Sequence, residues 1–120
     1  PLPRLRGLSP EERAAFPALG ASCHSLEDVR EAAELGCSYG TLGHIFPTGC
    51  KPGLPPRGVE LLAQVCQASP LPVYAIGGVG PGNIAQVRQA GAAGACVMSG
   101  FMTAPDPARL VGQLRKEAEL

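Results

Sequence analysis

Two short apolar runs that each end in a small-residue turn restrict the fold of this chain more than any other feature. Val73–Ile76 precedes Gly77-Gly78, and Ala95–Met98 precedes Ser99-Gly100. Strands that are apolar throughout are typical of parallel sheets that helices cover on both faces. A helical pattern follows each turn, so the sequence predicts an α/β fold with right-handed crossovers.

The rest of the chain repeats this alternation of strand and helix. Strands are predicted at 18–23, 39–46, 73–76 and 94–98, and helices at 10–16, 26–35, 59–68, 81–90 and 107–120. Ser9 and Ser25 are predicted helix caps, because each precedes an acidic residue at the capping-box position. Four strands cannot close an eight-stranded barrel, which takes ~250 residues. The pattern therefore leaves two architectures: an open four-stranded layer, or part of a larger barrel.

Composition and charge exclude several classes of protein. Ten basic residues balance ten acidic ones and are scattered, so no nucleic-acid-binding surface is predicted. Glycines interrupt every apolar run well short of the ~18 residues that a membrane span needs. The five cysteines form no C-x-x-C pair, and with no secretion signal they indicate reduced thiols in a cytoplasmic protein. Neither the cysteines nor the two histidines have the spacing of zinc ligands, so no metal site is predicted.

The two small-residue turns are the first candidates for a binding site. Glycines at Gly77, Gly78 and Gly100 would let backbone N–H groups approach an anion, and the helix that follows adds partial positive charge. In eight-stranded barrels the loops after the last two strands frequently bind phosphate. The alternative is that these are only tight strand–helix turns. Two such turns in consecutive final units favour a phosphate site that includes Ser99.

His44 is the second candidate, because it lies near the carboxyl end of a predicted strand. An imidazole with a pKa of about 6.5 can take and give a proton at neutral pH. A hydrogen-bonded core histidine is an equally good interpretation of its position. For His24, orientation of the adjacent turn is favoured over catalysis. Ser22 either points its hydroxyl into a barrel mouth or packs as a small residue.

The loop 47–58 is the third candidate, since ordered loops of this length tend to be functional. Lys51 and Arg57 are its only charged residues, so it would form a cationic flap over a phosphate or carboxylate. The alternative is a pair of solvated surface charges. Cys50 adjoins Lys51, which could lower its thiol pKa, but no partner base predicts a catalytic nucleophile.

At this point the motifs resemble a known family. Gly43-His44-Ile45-Phe46-Pro47-Thr48, then Lys51 and Gly58, then Ile76-Gly77-Gly78-Val79 and Val97-Met98-Ser99-Gly100 are similar to the thiamine phosphate synthase superfamily. The resemblance covers about residues 9–120. It implies a TIM (β/α)8 barrel, with residues 1–120 forming the C-terminal portion of this single domain and supplying strands five to eight.

Two branches share these motifs, and the residue at position 44 separates them. The synthase branch has proline there and a threonine or serine where this chain has Cys50. A histidine resembles the thiazole tautomerase (TenI-like) branch, in which it is the proposed acid–base residue. The resemblance therefore implies an isomerase that aromatises a carboxythiazole phosphate without a cofactor. In that reading His44 is catalytic, while the predicted phosphate and substrate contacts are Gly77, Gly78, Ser99, Gly100, Lys51, Thr48 and Ser22.

Two alternatives remain open from the resemblance. One is thiamine phosphate synthase, a transferase that needs Mg²⁺ and pyrimidine contacts from an N-terminal half. The other is a TenI-type regulatory protein without catalysis, although the neutral charge argues against direct DNA binding. The expected partner is a small thiazole phosphate, with no nucleic acid and no membrane, and a homo-oligomer is left open.

Overall fold

The computed structural model describes residues 1–49 and 51–119, and over these ranges the chain forms a four-stranded parallel sheet. Its strands are β1 (Gly20–Cys23), β2 (Tyr39–Leu42), β3 (Val73–Ile76) and β4 (Gly94–Cys96), each paired with the next along the chain. Because neighbouring strands are parallel, each connection must cross back over the sheet, and helices occupy these connections. The predicted α/β class with a parallel sheet is confirmed.

The described residues form seven helices around this sheet. They are α1 (Leu2–Arg6), α2 (Pro10–Ala14), α3 (Leu26–Glu34), α4 (Gly58–Ala68), α5 (Ile84–Gln89), α6 (Ser99–Met102) and α7 (Pro107–Ala118). Helices α1 and α6 were not predicted, since one turn of helix carries too little periodicity to detect. The last residue of the predicted final helix, Leu120, lies outside the described residues. None of the described helices is both long and apolar enough to cross a membrane.

The prediction that both faces of the sheet are buried is wrong for the described residues. Along β3, Val73 and Ala75 are buried, whereas Tyr74 is half-buried and Ile76 is 37% exposed. Successive side chains of a strand point to opposite faces, so this alternation means that helices cover one face only. On the covered face, Ala75 and the fully buried Leu42 pack into the core beneath α3, α4 and α5.

Two tyrosines lie on the open face of the sheet. The rings of Tyr39 and Tyr74 meet edge to face, with centroids 5.7 Å apart. A side chain at Gly20 would overlap the ring of Tyr39, and one at Gly94 would lie 3.0 Å from the ring of Tyr74. Glycines on the outer strands therefore make room for aromatic rings from the inner strands.

Both predicted helix caps are present. Ser9 Oγ accepts a hydrogen bond from Glu12 N at 3.1 Å, and Glu12 Oε2 accepts one from Ser9 N at 2.8 Å. Ser25 Oγ accepts one from Asp28 N at 3.1 Å, but the Asp28 carboxylate binds the backbone N–H of His24 instead of that of Ser25. The second cap therefore orients the exit of β1 as well as starting α3.

We expect Ser25→Ala to lower the free energy of unfolding by about 1 kcal/mol, because it leaves a helix N–H without an acceptor. Urea denaturation of the purified protein measures this loss. Ser25→Asn keeps a capping oxygen and should stay close to the original protein. Equal losses in the two variants would show that the cap does not stabilise α3.

Candidate functional site

A cleft of about 530 Å³ lies at the edge of the sheet where all four strands end. Carboxyl ends of parallel strands meet at one edge, and ligands bind there in open and closed α/β sheets. The residues that line it come from the exits of all four strands and from the loop 47–58. They are Ser22, Cys23, His24, Thr41, Gly43, His44, Thr48, Lys51, Leu54, Pro55, Arg57, Ile76, Gly77, Gly78, Val79, Cys96, Val97, Met98 and Ser99.

The structure brings together most of the residues that the sequence singled out. Ser22, His44, Thr48, Lys51, Gly77, Gly78 and Ser99 all line this cleft. Gly100 does not, and instead lines a second, more open depression beside α7. The difference arises because Ser99 and Gly100 belong to α6, in which consecutive residues point about 100° apart.

Gly77 and Gly78 are required by the packing of two chain segments. Both have a positive φ, +98° and +70°. A Cβ at Gly77 would lie 2.6 Å from His44 Cα and closer still to its Cβ, and one at Gly78 would lie 2.6 Å from Pro47 O. The exit of β3 therefore passes directly against the segment after β2. The tight-turn interpretation is supported by this contact, and the open backbone still lines the cleft.

His44 lies two residues beyond the end of β2, so the prediction of a strand to Phe46 is wrong at its carboxyl end. Pairing nevertheless continues, because Ile45 N donates to Ile76 O and Phe46 N donates to Gly77 O, each at 3.0 Å. The His44 side chain is 8% exposed, and its Nε2 lies 3.1 Å from Leu54 O. A carbonyl can only accept, so Nε2 carries a proton and donates it.

Hydrogen bonds hold the end of the loop 47–58 against residues 43–45. Arg57 N donates to His44 O at 2.8 Å, and Gly58 N donates to Ile45 O at 3.0 Å. The Arg57 side chain adds a third hydrogen bond, from its Nε to Gly43 O at 2.6 Å. The predicted interaction of Cys50 with Lys51 lies outside the described residues.

The cleft is cationic. Lys51 and Arg57 line it, and no aspartate or glutamate is among its described lining residues. Neither cation forms an ion pair with a carboxylate in the described part of the chain. With Nε of Arg57 held by Gly43, the two Nη groups of its guanidinium are left to bind an anion. Unpaired cations in a cleft of this kind attract phosphate or carboxylate ligands.

Arg57 both binds Gly43 and lines the cleft, and its sequence context did not predict this role. An isolated arginine in a loop is as often a solvated surface charge. Its proximity to Gly43 follows from the tertiary fold and has no local signal. His24 orients its turn through its backbone N–H, as the prediction favoured, and its ring Nδ1 lies 3.8 Å from Asp28 Oδ2. The half-buried Val97 and the exposed Met98 add an apolar wall to the cleft that was not predicted.

Within residues 1–49 and 51–119, the thiols and carboxylates do not form a metal or nucleophile site. Burial raises the pKa of the Cys23 thiol to about 11 and raises that of Cys96 as well, which keeps both thiols protonated at neutral pH. Among the residues described, no three histidine, cysteine or acidic side chains are grouped so that they could hold a metal ion. Mg²⁺ prefers carboxylate oxygens, so these residues do not fit a magnesium site.

A family model and the curated relatives identify one family. The model of the family described as thiamine monophosphate synthase (TMP-TENI) matches residues 10–101. The chain is 39% identical over 101 residues to a thiamine-phosphate synthase of Pyrococcus abyssi, covering 84% of this chain and 49% of the relative. It is 38% identical over 112 residues to one of Thermus thermophilus, covering 91% and 54%. The chain thus spans about half the length of these curated relatives.

A solved structure shows the same similarity. Thiamine phosphate pyrophosphorylase from Pyrococcus furiosus superposes with a TM-score of 0.79 at 33% identity, over 92% of this chain and 54% of that one.

These relatives contradict the prediction of a thiazole tautomerase, an isomerase. Their names are those of the synthase, which the sequence placed second. The error came from the weight given to one residue, His44, over the similarity of the whole chain. In the structure, Nε2 of that imidazole is hydrogen-bonded to a backbone carbonyl, which is a structural role for a histidine.

Proposed function

The chain belongs to the thiamine monophosphate synthase family, and from that membership we propose that the whole protein is a thiamine-phosphate synthase. Such an enzyme joins a pyrimidine pyrophosphate to a thiazole phosphate. Both substrates are anionic, so the observation that carries the proposal is the cationic cleft with Lys51 and Arg57 and no lining carboxylate among the described residues. The chain supplies the phosphate-binding side of the active site.

The proposed reaction places a specific demand on the cleft. The thiazole nitrogen forms a bond to the exocyclic carbon of the pyrimidine, while the bond from that carbon to pyrophosphate oxygen breaks. Pyrophosphate leaves with the electron pair, so negative charge grows on its oxygens. Lys51 and Arg57 stabilise that charge, which is the form of catalysis that preorganised cations provide.

The exits of β3 and β4 are the proposed site for the thiazole phosphate. Gly77 and Gly78 expose backbone there, and Ser99 offers a hydroxyl and an N–H in the first turn of α6. N–H groups in a first helical turn have no partner within the helix. A phosphate held by these groups would fix the thiazole ring relative to the pyrophosphate. Thr48 and Ser22, which also line the cleft, are the remaining proposed substrate contacts.

We further propose that the sheet forms strands five to eight of a TIM barrel. Its strands are parallel and follow chain order, as in a barrel, and the open face carries Ser22, Tyr39 and Ile76 where a barrel interior would be. The Mg²⁺ expected for a synthase would supply positive charge. Its ligands would have to come from outside the described residues, because these offer no carboxylate at the cleft.

The test is an assay of the whole protein with pyrimidine pyrophosphate, thiazole phosphate and Mg²⁺. We expect thiamine phosphate and inorganic pyrophosphate in equal amounts, with kcat/KM of about 10⁴ M⁻¹s⁻¹ or more, as is usual for enzymes. Reactions that lack either organic substrate are the controls. A folded protein that forms no thiamine phosphate under these conditions would refute the proposal.

A further inference from the structure

We propose that His44 is a positioning residue that holds Lys51 over the cleft by donating a hydrogen bond from Nε2 to the carbonyl of Leu54. The inference rests on the proposed function only in taking pyrophosphate as the anion that Lys51 binds. It assigns His44 a role that needs no proton transfer to a substrate.

The hydrogen bond itself is well defined. Nε2 lies 3.1 Å from Leu54 O, and the His44 side chain is buried at the wall of the cleft. With Nε2 as the donor, the second ring nitrogen, Nδ1, is not part of this hydrogen bond. No buried, unpartnered side-chain nitrogen or oxygen occurs among the described residues, so Nδ1 is reachable by solvent. A hydrogen bond therefore fixes Nε2 of the ring, whereas solvent reaches Nδ1.

The base of the His44 side chain is held from two sides. Its Cα and Cβ lie against Gly77, where even a methyl group would overlap them. Its carbonyl accepts the hydrogen bond from Arg57 N at 2.8 Å. Because its backbone is held in this way, the His44 ring can hold Leu54 in place.

Leu54 connects this ring to Lys51 through successive turns of the loop. Leu54 N donates to Lys51 O at 3.3 Å, and Lys51 N donates to Thr48 O at 3.1 Å. The Leu54 carbonyl that His44 binds is thus one turn away from Lys51. Movement of Leu54 would carry the backbone of Lys51 with it.

Apolar packing does not hold this part of the loop. Residues 51–57 are all exposed, and the Leu54 side chain is 58% exposed. A Cβ added at Gly49 or Gly53 would meet no atom within 4 Å, so the loop has open space around it. Without burial to fix it, the position of the loop depends on its hydrogen bonds, and the bond from His44 reaches the turn that begins at Lys51.

A matched pair of substitutions isolates this hydrogen bond. Gln in His44→Gln places an amide N–H near the position of Nε2, whereas Met in His44→Met has similar length and no donor. We expect His44→Met to weaken binding of inorganic pyrophosphate about tenfold in titration calorimetry, as loss of one hydrogen bond allows. His44→Gln should stay within about threefold of the original protein. His44→Asn, whose amide is too short to reach Leu54, should behave like His44→Met, and so keeps the test valid if the Met variant does not fold.

A second readout separates this inference from the proposed function. Amide hydrogen exchange at Leu54, measured by NMR, should be faster in His44→Met and unchanged in His44→Gln. If the original protein does not bind pyrophosphate, the proposed function fails, and the exchange rates still decide the role of His44. Equal exchange at Leu54 in both variants would overturn the inference. So would a Gln variant that binds pyrophosphate normally and has lost turnover as fully as the Met variant, because that result indicates proton transfer.

A double substitution tests the connection to Lys51. If His44 acts through Lys51, adding His44→Met to Lys51→Ala should weaken pyrophosphate binding no more than about twofold further, since coupled residues are not additive. Independent losses that multiply would contradict the proposed connection.

Discussion

Gly77→Ala is expected to lower the free energy of unfolding by about 2–5 kcal/mol. Two costs combine at this position. The φ of +98° is unfavourable for a residue with a Cβ, and that Cβ would lie 2.6 Å from His44 Cα. Neither backbone segment can move away easily, because Ile45 N and Phe46 N bind Ile76 O and Gly77 O across the contact.

Two other glycines separate these costs. Gly36 has a φ of +89°, and a Cβ added there would have no atom within 4 Å, so Gly36→Ala should show the backbone cost alone, about 1–2 kcal/mol. Gly80 has neither a positive φ nor a close neighbour, and Gly80→Ala should change stability little. Urea denaturation of all three variants measures the series. A Gly77→Ala loss no larger than that of Gly36→Ala would contradict the close approach to His44.

Lys51→Ala is expected to weaken pyrophosphate binding by about 10- to 100-fold, and kcat/KM for thiamine phosphate formation by a similar factor. A hydrogen bond to a charged group contributes about 1.5–3 kcal/mol, which corresponds to that range. Lys51 lines the cleft with no carboxylate partner among the described residues, so its charge is available to the ligand. Titration calorimetry and steady-state kinetics measure the two effects.

Lys116 is the matched control, since it is the other lysine of the chain and lies exposed in α7. Lys116→Ala removes the same charge from the protein and should leave pyrophosphate binding within about twofold, because solvent and salt screen a distant exposed charge. Equal losses in the two variants would mean that only net charge matters. The difference between them should shrink as salt is raised, as expected for binding to an anion.

Local features of the chain were predicted well because their causes are local. The caps at Ser9 and Ser25 each depend on a side chain and a backbone N–H three residues apart, so the sequence contains all the information needed. The strand at Val73–Ile76 was predicted with its observed bounds, since Pro72 and Gly77 mark its ends. The one-turn helix α6 was missed because Ser99–Met102 has no periodicity and no cap.

The burial of the sheet was predicted incorrectly for a physical reason. An apolar residue such as Ile76 favours burial, but it is buried only if another element covers it, and none in the described residues does. The prediction of function was limited in the same way, because the sequence does not show which groups a side chain contacts. His44 has the chemistry of an acid–base residue, and only its 3.1 Å contact with Leu54 O shows that its donor is already used.

The sequence by itself determined the parallel α/β class, the approximate positions of the strands along the chain and the chemical character of the residues at their ends, because these follow from periodicity, turn residues and charge. It also placed Lys51, Gly77, Gly78 and Ser99 in the cleft that the structure shows. Only the tertiary structure decided that Arg57 binds Gly43, that Gly77 presses against His44 and that His44 holds Leu54. These contacts join separate segments of the chain, and their distances depend on how the helices pack the sheet, which no local pattern encodes.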